Sequence, residues 1–134
     1  MKPKIALITL LTDYVPGMVQ FYRDVLGFDI LTDMGEYVEL KSEGVRFAIC
    51  DRSIMLKATG HQSYLQGAAG QAVELAFPCE SPEAVDLAYE KAVAHGAKPV
   101  KAPVSMPWGQ RTAFFADPEG YIHEFFSDLP QQQP

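Results

Sequence analysis

The 134-residue sequence predicts an α+β fold of two tandem βαβββ modules, and three observations carry that prediction. Apolar periodicity runs strand, helix, three strands, and then repeats in the same order. Each half holds one helical stripe stopped by a glycine, Gly27 in the first and Gly96 in the second. A Gly-, Gln- and Ala-rich stretch separates the halves. One helix cannot cover both faces of a sheet, so the two sheets are expected side by side as one curved mixed sheet. That arrangement is a cup with helices outside and a concave face left for a ligand. Two ferredoxin-like repeats with a filled core are the competing arrangement.

Module one is expected over residues 1–51, a connector over 52–71 and module two over 72–128, all within one domain. Ile5 to Leu11 reads as the first strand. Pro16 suits the first turn of a helix whose Met18, Phe21, Tyr22 and Val25 share a face. Phe28 to Leu31, Tyr37 to Lys41 and Val45 to Cys50 read as strands, divided by turn-formers around Gly35 and Gly44. In the second half Ala72 to Pro78 is a strand, and Ser81-Pro82 is an N-cap followed by proline at the first helical position. Val85, Ala88, Tyr89 and Ala92 form the second stripe, after which Lys98 to Lys101, Arg111 to Ala116 and Tyr121 to Phe126 are strands. Residues 129–134 have nothing to pack and are expected to be mobile. The connector is long for a compact domain, as lids and dimer contacts often are.

A formal charge of −6 argues against nucleic acid or an anionic membrane as the main partner, because both require clustered Lys and Arg. The apolar run near the N-terminus is too short to span a bilayer. Cys50 and Cys79 lack CxxC spacing and the density of a disulfide scaffold, which points to reduced thiols and a cytoplasmic location.

Glu124 draws attention on purely physical grounds. It follows a tight Asp117-Pro118-Glu119-Gly120 turn and lies between Ile122 and Phe126 at strand spacing, so an apolar face carries a carboxylate that needs a partner. His123 alternates with it and is expected on the helix-covered face. His61 and His95 read as surface residues, and none of the three histidines has a partner at ligand spacing.

The run Phe21-Tyr22-Arg23-Asp24-Val25-Leu26-Gly27-Phe28, together with Asp117-Pro118-Glu119-Gly120 and Ile122-His123-Glu124, resembles the vicinal oxygen chelate superfamily. That superfamily includes glyoxalase I, extradiol dioxygenases and bleomycin-binding proteins. The resemblance implies a cup with up to four metal ligands, one from the first and one from the last strand of each module. Those positions fall on Ala6 and Ala48 in module one and on Glu74 and Glu124 in module two. Only Glu74 and Glu124 offer donors, whereas a catalytic metal takes about three protein ligands. A divalent ion, Mn, Fe, Co, Ni or Zn, therefore stands as a possible cofactor on a degenerate site.

The cup also offers Arg46 and Cys50, which share strand parity with Ala48, and Ile8, placed with Ala6. Arg46 or Arg111 could neutralise the glutamate pair, and one of Phe114 and Phe115 must face inward. Trp108 resembles the aromatic that bleomycin-binding relatives stack on planar ligands; a rim residue covering the core is the alternative. The expected function is homodimeric binding of a small organic molecule, with Glu124 and Glu74 as proton-transfer groups if catalysis occurs. The alternatives are a divalent-metal-dependent glyoxalase-like lyase or dioxygenase, and a non-catalytic dimerising domain.

Overall fold

A computed structural model describes residues 1–67 and 69–131. The chain divides into two compact units, Met1–Ala69 and Gly70–Pro134, each with one four-stranded sheet.

In the first unit β1 (Leu7–Thr12) leads to α1 (Val15–Gln20), which widens into a π-helical turn at Phe21–Val25. The strands β2 (Ile30–Asp33), β3 (Tyr37–Leu40) and β4 (Arg46–Asp51) follow. The sheet order is β1-β4-β3-β2, with β1 parallel to β4 and the other pairs antiparallel, the outcome of one helical crossover and two hairpins. The wide turn is closed by the Leu26 N–H on the Phe21 carbonyl at 3.3 Å, and it brings two consecutive aromatics into the core. Tyr22 is fully buried, edge-on to Phe21 and to Phe47 with ring centroids 5.3 Å away in each case.

The connector holds a helix, α2 (Arg52–Thr59), and a short 3-10 turn at Gln62–Leu65. Asp51, which ends β4, caps α2 by accepting from the Ser53 N–H at 2.9 Å. Gly60 closes it in the left-handed region at φ 68°. Arg52 is the buried residue of α2, and its guanidinium meets Asp13 at 3.1 Å. Ile54, Met55 and Leu56 are consecutive and form no stripe, so the apolar period that marks α1 is missing here.

The second unit runs β5 (Ala76–Pro78), α3 (Pro82–Ala94), β6 (Lys98–Ser105), β7 (Gln110–Ala116) and β8 (Ile122–Asp128), in the order β5-β8-β7-β6. Ser81 caps α3, its hydroxyl accepting from the Ala84 N–H at 3.1 Å. The odd-numbered side of β7 and β8 faces α3: Arg111 donates to Asp86 on that helix, and buried Phe115 stacks on Phe125 at 4.7 Å. At the sheet edge β6 runs past the expected Lys101, through two irregularities of register near Pro99 and Pro103. An edge strand tolerates such prolines because its outer N–H groups need no partner.

Two expectations fail in this unit. The segment from Ala72 is not a strand before Ala76: the Leu75 N–H goes to the His123 side chain, and the Gln71 side chain takes the Ile122 N–H that a longer ladder would have used. Leu129 is not free either: its N–H donates to the Gly109 carbonyl at 2.9 Å. Residues 132–134 of the tail lie outside the described residues. No helix among the described residues is long and apolar enough to cross a membrane.

Candidate functional site

Glu124 lies on the side of β8 that turns away from α3, half-buried, with Phe114 of β7 and Ala76 of β5 as its cross-strand neighbours. Glu74 stands two residues before Ala76, in the unpaired lead-in to β5. The two carboxyls meet. Burial pushes the Glu124 carboxyl above its ordinary value, and the charge of Glu74 and a hydrogen bond between the two groups push it further.

Behind this pair, on the α3 side, sits fully buried His123. Its Nδ1 accepts the Leu75 N–H at 3.0 Å, and its Nε2 lies 3.4 Å from the Asp117 carboxylate. Asp117 organises the tight turn, its other oxygen accepting from the N–H groups of Glu119 and Tyr121 at 3.0 Å each. Gly120 takes φ 91° there, a conformation side chains resist.

The remaining candidates separate by position. Arg46 is engaged within its own unit. It forks onto Glu39, with Nε 3.0 Å from one carboxylate oxygen and Nη2 on the other, and this hydrogen-bonded cation holds the Glu39 carboxyl below its usual range. Arg111 faces α3, bonded to Asp86 at 2.7 Å and to Ser105 at 3.1 Å. Of the phenylalanines, Phe115 packs beneath α3 and Phe114 stands beside Glu124. Cys50 is buried and Cys79 half-buried; both thiols are free and pushed up by burial. His61 and His95 are exposed, bonded to Ser63 and to the Lys91 carbonyl.

Trp108 does not cover the core. It is 63% exposed and borders a cleft of about 560 Å³ with Met106, Asp128 and Leu129, its indole N–H donating to Gln110. In the first unit, Ala48 pairs with Thr9 on β1 and Glu39 on β3, while Ile8 pairs with Phe47 on the helix side. Parity therefore separates Ile8 from Ala48, contrary to the expectation, and Ala6 precedes the strand.

A metal centre needs more donors than this. Among the described residues no three His, Cys, Asp or Glu side chains gather to hold an ion, and the alanines at positions 6 and 48 supply none. Two carboxylates do not fit a centre of three protein ligands.

Sequence reasoning missed Glu39, Gln71 and Asp117. Glu39 had the same signal as Glu124, a carboxylate inside the apolar alternation Tyr37-Val38-Glu39-Leu40, and it is buried. Gln71 had none, since its bonds reach Gly120 and Ile122 across a long loop in sequence.

The chain is 28% identical to a glyoxalase/bleomycin resistance protein/dioxygenase from Nocardioides, covering 100% of this chain and 89% of that one with a TM-score of 0.86. A glyoxalase/bleomycin resistance protein/dioxygenase family enzyme from Burkholderia phytofirmans PsJN is 21% identical over 95% of this chain and 100% of its own, at a TM-score of 0.84. A lactoylglutathione lyase from Agrobacterium tumefaciens is 25% identical over 92% of both chains, at 0.72. No curated protein matches. The model of the glyoxalase/bleomycin resistance protein/dioxygenase superfamily matches residues 4–125, and the chain belongs to that superfamily.

Proposed function

We propose that this protein binds a small organic molecule against the face of the second sheet that carries Glu74 and Glu124. The paired carboxyls carry the reading: two neighbouring acids, with Glu124 held above its ordinary value by burial and by Glu74, stand next to the ring of Phe114 and suit a ligand with an aromatic or alkyl body and a cationic or hydrogen-donating head. If turnover occurs, the same pair supplies an acid and a base side by side. Family membership supports the binding of a small molecule at this fold but does not select the reaction. The reading extends to a cytoplasmic homodimer. Unbridged Cys50 and Cys79 support the reducing compartment, and exposed Ile5, Leu31, Met34 and Val73 support self-association.

Calorimetry with a series of aromatic amidines and their neutral amide counterparts tests the proposal. Amidines should bind more tightly than the amides, and Glu124→Gln or Glu74→Gln should weaken the amidine by about tenfold, ~1.4 kcal/mol. Equal binding of the two series, unaltered in both variants, would sink it.

A second reading, a divalent-metal-dependent lyase or dioxygenase, is supported by the lactoylglutathione lyase among the similar structures. Elemental mass spectrometry on protein stripped with chelator and reloaded with Mn, Fe, Co, Ni or Zn decides it. About one ion per chain, lost in the Glu74→Ala, Glu124→Ala double variant, would favour the metal enzyme.

A further inference from the structure

We infer that His123 and Gln71 are positioning residues, whose side-chain hydrogen bonds to the backbone hold Glu74 beside Glu124. The inference rests on the carboxyl-pair reading and explains how that pair is kept together. Glu74 belongs to a segment, residues 71–75, that lacks strand pairing, and an untethered edge segment of this kind would be free to leave.

The tethers lie at its two ends. At the first, the Gln71 carboxamide works both ways: its oxygen accepts the Ile122 N–H at 3.1 Å and its NH₂ donates to the Gly120 carbonyl at 2.8 Å. At the other end, Leu75 is gripped on both backbone groups. Its N–H donates to His123 Nδ1 at 3.0 Å, and its carbonyl accepts the Glu124 N–H at 3.0 Å. Glu74 sits between these anchors, and one of them comes from the residue adjacent to Glu124.

The chemistry of the ring follows from its neighbours. A backbone N–H can only donate, so Nδ1 presents its lone pair to Leu75 and the ring proton sits on Nε2, the nitrogen 3.4 Å from the Asp117 carboxylate. The Leu75 contact thus corresponds to the Nε2–H tautomer, with Nε2 on the Asp117 side of the ring. The ring is wedged among Phe77, Phe115 and Tyr121, with ring centroids 6.1, 5.9 and 6.4 Å away. Packing fixes its orientation, Nε2 lies on the Asp117 side, and Nδ1 holds Leu75.

Nuclear magnetic resonance tests this on the whole chain. In the native protein the His123 ring should show the Nε2–H tautomer and a scalar coupling from the Leu75 amide into Nδ1. The Glu74 and Glu124 side chains should show mutual Overhauser contacts. His123→Phe keeps the aromatic packing and removes the acceptor, and should abolish those contacts. His123→Asn presents an oxygen near the place of Nδ1 and should restore them. Gln71→Ala should release the Ile122 amide to fast exchange and weaken them.

Contacts that survive in both His123→Phe and Gln71→Ala would overturn the inference, and so would an Nδ1–H tautomer in the native protein, a measurement that needs no variant to fold. Absence of Glu74–Glu124 contacts in the native protein, with the Leu75 coupling present, would instead overturn the carboxyl-pair reading.

Discussion

A carboxyl that keeps its proton longer in the folded chain than in the unfolded one makes stability fall as pH rises, and Glu124 is such a group. Between the ordinary glutamate value and its raised folded value the native state binds more protons than the unfolded state, and that window is where the loss occurs. Glu124→Gln removes the titration, so the gap in urea midpoint between variant and native protein should shift in the variant's favour from pH 4 to pH 8. Glu39 behaves in the opposite sense: hydrogen bonding to Arg46 lowers its value, so its contribution is present at neutral pH and fades as acid protonates it. Arg46→Ala should accordingly lower the melting temperature at pH 7 and change it little in strong acid. In the core, Phe115→Ala removes a fully buried ring stacked on Phe125 and should cost about 3–5 kcal/mol in urea unfolding. Glu124 was legible in the sequence because a charge interrupts an apolar alternation. Gln71 was not, because a surface glutamine in a polar stretch carries no periodicity, and its partners lie 49 and 51 positions away.

Among the elements, those with an apolar stripe and a glycine stop could be read directly. α3 shows both the stripe and its Ser81-Pro82 start, and it forms over Pro82–Ala94. α2 could not be read that way. Its existence depends on the Asp51 cap, the Gly60 stop and the burial of Arg52, a residue type that sequence patterns assign to solvent. Asp51→Ala and Ser81→Ala should each cost about 1 kcal/mol in urea unfolding, since each leaves a helix-start N–H without its acceptor. β5 is the opposite case: its apolar content predicts a longer strand than forms, because side chains of Gln71 and His123 take the hydrogen bonds that a ladder would have used.

Across the whole molecule the duplication was the most legible property. Both units have one parallel pair, two antiparallel pairs and a helix between their first and second strands, as a repeated βαβββ order requires. The functional groups are not duplicated. The place held by Glu124 in the second sheet is held by Ala48 in the first, where the nearby carboxylate is Glu39 and already bonded to Arg46. Repetition of backbone order therefore says nothing about repetition of chemistry. If the exposed apolar residues do support self-association, sedimentation equilibrium should return twice the chain mass at micromolar concentration, and replacing Ile5 and Met34 with Lys should reduce it toward one.

The widened turn at Phe21–Val25 has a consequence for how this chain tolerates changes in length. A π turn is an α-helix with one surplus residue, accommodated by a local bulge instead of a shift of everything downstream. Losing a single residue from that stretch, exposed Asp24 for instance, would leave a regular helix with the later strands still in register. The same deletion inside β4 would send each following side chain to the opposite face. The first helix is thus the place where this fold can absorb an insertion or deletion.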